Sequence, residues 1–339
     1  AVLDIKSGTE HTLGTVNINA YTKLKIEETT TKATAIKIET AANGTVENAG
    51  ELTVGTLTNG GKVSSTGTLI VGDNSSATTS SVTKISVVDE IKEQESSAGD
   101  LSATNLQIND AAIVNVTGND GVSVSGGTLT IKNVTVSSSN TANATTGLNT
   151  KKLTHSDGVV VASDNITTNG GEISADSITV GTIEVTPSNA GVYTVKLVHN
   201  GGKITVSGNE GLIVSDGGTV VAQKIVIYND EDGSTESALN VKKVTQSGSG
   251  VINVLDNSGI SENLSSSQSA YSIEKLNVLS DVSATTSTPG LNTKKYTVTG
   301  DKVIPSVTNE GIVTVTGTLT LGNAETNKTS GVLLVSALP

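Results

Sequence analysis

The chain keeps rewriting one stretch of itself, and that constrains its fold more than any other feature. Residues 191–227, GVYTVKLVHNGGKITVSGNEGLIVSDGGTVVAQKIVI, are four short runs rich in Val and Ile, parted by turns that carry Gly and Asn. β-Branched residues suit a pleated strand and Gly and Asn supply turn conformations, so the stretch reads strand, turn, strand, turn. Laying residues 147–162 on 191–206 places Gly147, Thr150, Lys152, Leu153, His155 and Gly158 on Gly191, Thr194, Lys196, Leu197, His199 and Gly202. Further copies start at Ala238 (ALNVKKVTQSGSGVINV) and at Gly290 (GLNTKKYTVTGDKVIPS). One apolar slot therefore reads Leu153, Leu197, Val244 and Tyr296, each preceded by a lysine: Lys152, Lys196, Lys243 and Lys295. A second family runs beside it: NDGVSV from Asn119, NEGLIV from Asn209 and NEGIVTV from Asn309.

Spacings of roughly 44 to 52 residues are those of a repeat architecture. The fold class expected from them is all-β: an elongated β-solenoid (parallel β-helix) in which each period makes two coils of roughly 20–25 residues. In that reading the apolar slot is one inner ladder and the lysine before it points outward. Tandem β-sandwich domains of about 90 residues are the alternative, because residues 127–136 also map onto 218–227. Asn-Gly pairs at Asn43, Asn59, Asn169 and Asn200 are hairpin signals and keep antiparallel pairing open. Composition bears on the choice. The chain has no Phe, Trp, Met or Cys and only five Tyr, so its interior has to be filled by Val, Ile, Leu, Ala and Thr. A narrow interior suits that set better than a spherical core, and a propeller would bring aromatic signatures that are missing.

Residues 1–100 read as an irregular N-terminal β region, with strands at 1–5, 15–18, 23–26, 35–38, 51–54 and 68–71. Residues 101–339 read as the regular repeat. The polar stretches 28–34, 75–81 and 90–99 are loops, and 137–146, 229–237 and 261–271 are insertions beside copies of the repeat.

Net charge is −12, and every one of the 21 basic residues is Lys. With no guanidinium fork and no stacking aromatics, nucleic acid is an unsuitable partner. No run is long and apolar enough for a membrane-spanning helix, so no membrane insertion is expected. Acidic pairs such as Asp89–Glu90 read as solvated loop charge rather than as a general acid and base. His11, His155 and His199 are the only histidines; the last two hold equivalent repeat positions and read as surface turn residues. No cofactor is expected. Calcium is the weak candidate, with Asp230, Glu231 and Asp232 carrying the ligand types without EF-hand spacing. Eight N-x-Ser/Thr sequons start at Asn43, Asn74, Asn115, Asn133, Asn143, Asn165, Asn263 and Asn327.

Both ends are apolar: AVLDI at residues 1–5 and GVLLVSALP at 331–339. Open strand edges pair with other strands unless they are blocked. The expected assembly residues are Val2, Leu3 and Ile5 at one end and Val332, Leu333, Leu334 and Val335 at the other. An excised piece of a longer protein would show the same ends.

In texture, through phrases such as GTLTI from Gly127 and NEGIVTV from Asn309, the chain resembles the β-solenoid surface proteins of prokaryotes: autotransporter passengers, filamentous-haemagglutinin-like adhesins and some S-layer proteins. The resemblance covers most of residues 40–339. It implies a non-enzymatic extracellular structural protein that self-associates, as a homo-polymer or lattice, into a fibre or surface layer by end-to-end strand pairing. An adhesin that meets a glycan or host surface through the insertion loops is the alternative, and a polysaccharide-cleaving β-helix enzyme a third.

Overall fold

The computed structural model describes residues 1–6, 8, 10–73, 76–91, 97–139, 145–183, 187–228, 237–263, 271–299, 302–316, 319–321, 328–329 and 332–336. Regular structure among them is entirely β-strand. Contacts divide the chain into two compact units: Ala1–Asp164 with Thr186–Val192, and Asn165–Val185 with Tyr193–Pro339.

In the first unit the strands are β1 (Val2–Ile5), β2 (Glu10–Ile18), β3 (Lys23–Ile26), β4 (Lys32–Thr40), β5 (Thr45–Asn48), β6 (Glu51–Asn59), β7 (Lys62–Val71), β8 (Thr79–Val82), β9 (Lys84–Val87), β10 (Asp100–Ile108), β11 (Ile113–Val116), β12 (Val122–Ser137) and β13 (Gly147–Thr150). Alternation makes them strands. In β6, Leu52, Val54, Leu57 and Asn59 are buried, while Glu51, Thr53, Thr56 and Thr58 lie between them on the outer face. The expected run at 15–18 proves to be the end, and that at 35–38 the middle, of a nine-residue strand, and β5 was not anticipated.

Every strand pair with a described register is parallel, so the Asn-Gly pairs do not close hairpins. Asn43 instead takes a left-handed turn conformation (φ 65°), and buried Asn59 accepts the Gly61 N–H at 3.1 Å. The pairing in this unit also closes on itself. β6 lies on β7, β7 on β10, β10 on β9, β9 on β12, β12 on β13, β13 on β11, β11 on β8, and β8 returns to β6 through Thr58 and Ser81. The result is an eight-stranded parallel β-barrel with further strands outside it, which corrects both the solenoid and the tandem-sandwich expectations. Outside the ring, β1, β3 and β5 lead up to β7, and β2 and β4 lead up to β6.

The physical reason for the correction lies in strands that change neighbours along their length. β12 pairs with β9 over Val122–Val124, with β10 over Thr128–Thr130 and with β13 over Val134–Val136. The Gly126–Gly127 step is a bend inside one strand. Gly127 sits at φ 63°, and a Cβ there would lie 2.3 Å from the Thr104 carbonyl oxygen. A bent strand of this kind joins faces that would otherwise stay separate, and the sheet closes.

The second unit is built of the same material. Glu172–Val180 pairs with Lys203–Val214, which pairs in turn with Leu239–Val241 and Val244–Gln246. Thr219–Ala222 leads to Val251–Val254 and on to Gly290–Thr293. Ile260–Asn263 leads through Lys295–Thr299 and Ile312–Thr316 to Val332–Ser336.

In two copies of the second family its glycine packs on the lysine that precedes the apolar slot. Gly121 and Gly211 have φ of 65° and 68°, and a Cβ on them would meet the carbonyl oxygens of Lys152 and Lys243 at 2.2 and 2.3 Å; Gly259 (φ 65°), outside that family, meets Lys295 in the same way at 2.0 Å, whereas Gly311 of the third copy faces the Lys294 carbonyl at 2.4 Å. The lysine before the apolar slot is thus held by its carbonyl, against the glycine of the neighbouring strand's turn. Its slot partner is buried in all four copies: Leu153, Leu197, Val244 and Tyr296. These four do not form one ladder, however. Leu197 stacks on Val220, Val244 on Leu212 and Tyr296 on Ile260, so the recurring slot is filled in separate columns.

This contact predicts the cost of filling it. Gly211→Ala, with a left-handed backbone and a carbonyl 2.3 Å from the new methyl, should destabilise the protein by about 1–3 kcal/mol or more. Gly14→Ala on β2, where nothing lies within 4 Å, should stay within about 0.5 kcal/mol of wild type. Denaturant melts of the two variants compare them directly.

Candidate functional site

The outer edge of β1 and β2 is one exposed apolar surface of the first unit. The carbonyls of Ala1 and Ile5 accept the N–H groups of Lys23 and Glu27 at 3.0 and 3.2 Å, which fixes one edge of β1 on β3. Alternate residues of a strand direct their backbone groups to opposite edges, so Val2 and Asp4 turn theirs the other way. Among the described residues no strand pairs there. Side chains report the same opening. Leu3 is 50% exposed, although it continues the column of Leu24, which is 0% exposed, and Val2 is 60% exposed. On β2 the columns that run through buried Ala33, Ala35 and Ile38 end in half-buried His11, Leu13 and Val16.

Outer-face columns near this edge alternate in charge. Asp4, Lys25 and Glu47 share one column, and Glu10, Lys32 and Glu51 share another. Lys32 pairs with Glu51 at 3.1 Å, and Lys23 pairs with Glu47. Lys25 binds Glu27 at 2.6 Å, which holds the ammonium above its ordinary pKa and the carboxyl below its own. Asp4 pairs with Lys6 at 3.4 Å through one oxygen, and its other oxygen is buried without a hydrogen-bond donor. Beside these columns, Lys25, Glu27, Thr45, Glu47, Lys62 and Ser64 line an open groove of about 460 Å³ across β3, β5 and β7. Its walls carry both signs of charge and no aromatic ring.

Two kinds of buried polar residue were not read from the sequence. The first is asparagine in the phrase aliphatic–Asn–Val/Thr, which occurs at Asn115, Asn149, Asn240, Asn253, Asn277 and Asn292, all buried. In the second unit three of them form a chain: Asn277 Nδ2 donates to Asn292 Oδ1 at 2.9 Å, and Asn292 Nδ2 donates to Asn253 Oδ1 at 2.9 Å. Their remaining amide hydrogens bind loop carbonyls of Pro289, Thr288 and Thr286. The signal was the recurrence of Asn itself, in copies that differ at most other polar positions. Burial also closes the Asn115 sequon in the folded chain.

Histidine is the second kind. His155 and His199 are buried rather than exposed turn residues, which corrects the surface reading. Each donates Nε2–H to the carbonyl three residues on, Gly158 and Gly202, at 3.0 Å. That bond fixes the proton on Nε2 and leaves Nδ1 covered and unpartnered. Desolvation lowers the pKa of His199, opposed in part by the Gly202 carbonyl. The turn itself needs the ring: His-x-x-Gly folds the imidazole back under its own strand.

Of the expected assembly residues, Val2 and Leu3 are exposed on β1 and Ile5 is buried. Val332, Leu333, Leu334 and Val335 belong to a strand of the second unit whose backbone pairs with Ile312–Thr316; their side chains lie outside the described residues. Asp230, Glu231 and Asp232, with most of the 229–237 and 261–271 insertions and half of the charged 90–99 loop, also lie outside them. Among the described residues no group of three His, Cys, Asp or Glu converges to hold a metal, and no helix is long and apolar enough to cross a membrane. Asn119, in the turn at 118–121, accepts the Lys151 ammonium at 3.2 Å.

Removing the amide of Asn292 strands the Asn253 oxygen and one Asn277 hydrogen. Asn292→Ala should cost about 1–3 kcal/mol for each group left unsatisfied, read as a fall in denaturation midpoint. For His199 the sign follows from its lowered folded pKa. Its stabilisation is complete above the unfolded value near 6.5 and is lost as pH falls below that toward the folded value. Thermal melts from pH 8 to 5 should show a steeper loss for wild type than for His199→Gln. No protein-family model, curated protein or solved structure matches the chain.

Proposed function

We propose that the chain is a non-enzymatic structural protein of the prokaryotic cell surface, built into a fibre or surface layer by parallel strand addition at the β1–β2 edge. The observation that carries this reading is Leu3, half exposed at the end of a column whose next member, Leu24, is fully covered. An added strand would cover Val2 and Leu3 and engage the outward backbone groups of Val2 and Asp4. Full burial of a Val or Leu side chain is worth about 1.5–3 kcal/mol, and the backbone bonds set the register.

Several further features agree with a scaffold role. Its acidic residues build turns: Asp216 accepts the N–H and hydroxyl of Ser249 at 2.7 and 2.9 Å, and Asp256 accepts those of Ser258 at 2.8 and 3.0 Å. These bonds hold both carboxyls below their ordinary pKa, the reverse of what a general acid needs. Net negative charge and Ser/Thr/Asn richness match the textural resemblance to prokaryotic surface proteins.

Because Val2 and Leu3 are already exposed, Val2→Lys with Leu3→Lys should fold normally. Negative-stain microscopy and sedimentation should show filaments or sheets for wild type and dispersed particles for the double variant. Equal assembly of a variant with a wild-type circular dichroism spectrum would refute the edge mechanism.

A further inference from the structure

Four Asn-Gly steps stand in the chain, at Asn43, Asn59, Asn169 and Asn200, and the fold sets one of them apart. We propose that Asn200 is a site of spontaneous covalent modification, deamidating to aspartate and isoaspartate through a cyclic imide closed by the Gly201 nitrogen.

The chemistry needs only water and hydroxide. The backbone nitrogen of the glycine gives its proton to hydroxide and attacks the asparagine Cγ. A C–N bond forms and the Cγ–Nδ2 bond breaks. Ammonia leaves, taking a proton from water and restoring the hydroxide. Water then opens the imide at either carbonyl, which leaves aspartate or isoaspartate. Glycine favours closure because it has no Cβ to crowd the ring and because its backbone turns freely. What separates one Asn-Gly step from another is access: an N–H already given to an acceptor must break that bond before its nitrogen can attack.

Three of the four steps are guarded in this way. The Gly44 N–H donates to the Ala41 carbonyl at 2.8 Å, the Gly60 N–H to the Thr40 carbonyl at 2.9 Å, and the Gly170 N–H to the Gly201 carbonyl at 3.0 Å. Asn59 is also buried, with its Oδ1 accepting the Thr40 hydroxyl at 2.6 Å and its Nδ2 donating to the Asp100 carbonyl at 2.8 Å. Asn200 is exposed, and the Gly201 N–H has no acceptor among the described residues. Gly201 lies at φ 139°, and a Cβ there would approach only the Gly170 nitrogen, at 3.8 Å, so the peptide has room to turn. The Asn200 amide is held by an exposed bond to Asn169 Oδ1 at 3.3 Å, a weak restraint. Asn169 and Asn200 both open the triplet Asn-Gly-Gly, so local sequence does not distinguish them; the stacking of one turn on the other does.

The step also lies inside a closed turn. His199 Nε2–H donates to the Gly202 carbonyl at 3.0 Å, and the Ser237 hydroxyl donates to the same oxygen at 2.8 Å. Isoaspartate routes the main chain through its own side chain and inserts one more carbon between His199 and Gly202. Conversion therefore loosens the histidine clamp.

Ageing the folded protein at mildly alkaline pH, followed by tryptic peptide mapping with isoaspartate-resolving chromatography and mass spectrometry, tests this. Residues 197–203 (LVHNGGK), bounded by Lys196 and Lys203, carry Asn200 as their only asparagine. Asn200 should convert at least about fivefold faster than Asn43, Asn59 or Asn169, a factor equal to about 1 kcal/mol of barrier. In denaturant the four steps should convert at similar rates, because the guarding bonds are gone. Asn200→Gln, whose longer side chain disfavours ring closure, should remove the fast conversion and the accompanying fall in melting temperature of aged protein. Equal or faster conversion of Asn43 or Asn169 in the folded chain overturns the assignment. So does an unchanged order of rates in denaturant, which would place the cause in local sequence. Aged protein that carries isoaspartate at 200 and melts as the fresh protein does overturns the link to the clamp.

Discussion

Parallel, in-register hydrogen bonding is the constraint on which the rest of this molecule depends. Once Leu24 lies on Leu3 and Val46 on Leu24, each position of a strand belongs to a column, and a column faces either the interior or solvent along its whole length. A one-residue slip would exchange the two faces, so the alternation of Lys/Thr/Glu with Val/Leu/Ile is what holds register. It also explains how a chain without Phe, Trp or Met builds a tight interior. Side chains in a column meet near-copies of themselves at the strand spacing, and Val, Ile and Leu fill that spacing without large rings.

The same constraint makes the buried asparagines tolerable. A lone amide in an apolar interior would leave hydrogen-bonding groups unmet. Asn292 instead receives one bond from Asn277 and gives one to Asn253 because register sets them level. Its last hydrogen is taken by a loop carbonyl, so each amide also ties the connection beside its strand. Polar satisfaction here comes from repetition across strands, not from any one strand's sequence.

That division accounts for what could be read in advance. Strand material, short turns and the buried apolar slot at Leu153, Leu197, Val244 and Tyr296 were legible, because period-two alternation and repeated spacing are local. Closure was not. Whether Gly126–Gly127 ends a strand or bends it depends on whether β10 and β13 stand ready to pair beyond it, and no local pattern carries that information. The histidines were misread for a related reason. A polar ring beside a Gly-rich turn looks exposed until the carbonyl of Gly158 or Gly202 is seen to receive it. For the edge, the apolar character of Val2 and Leu3 was legible in sequence.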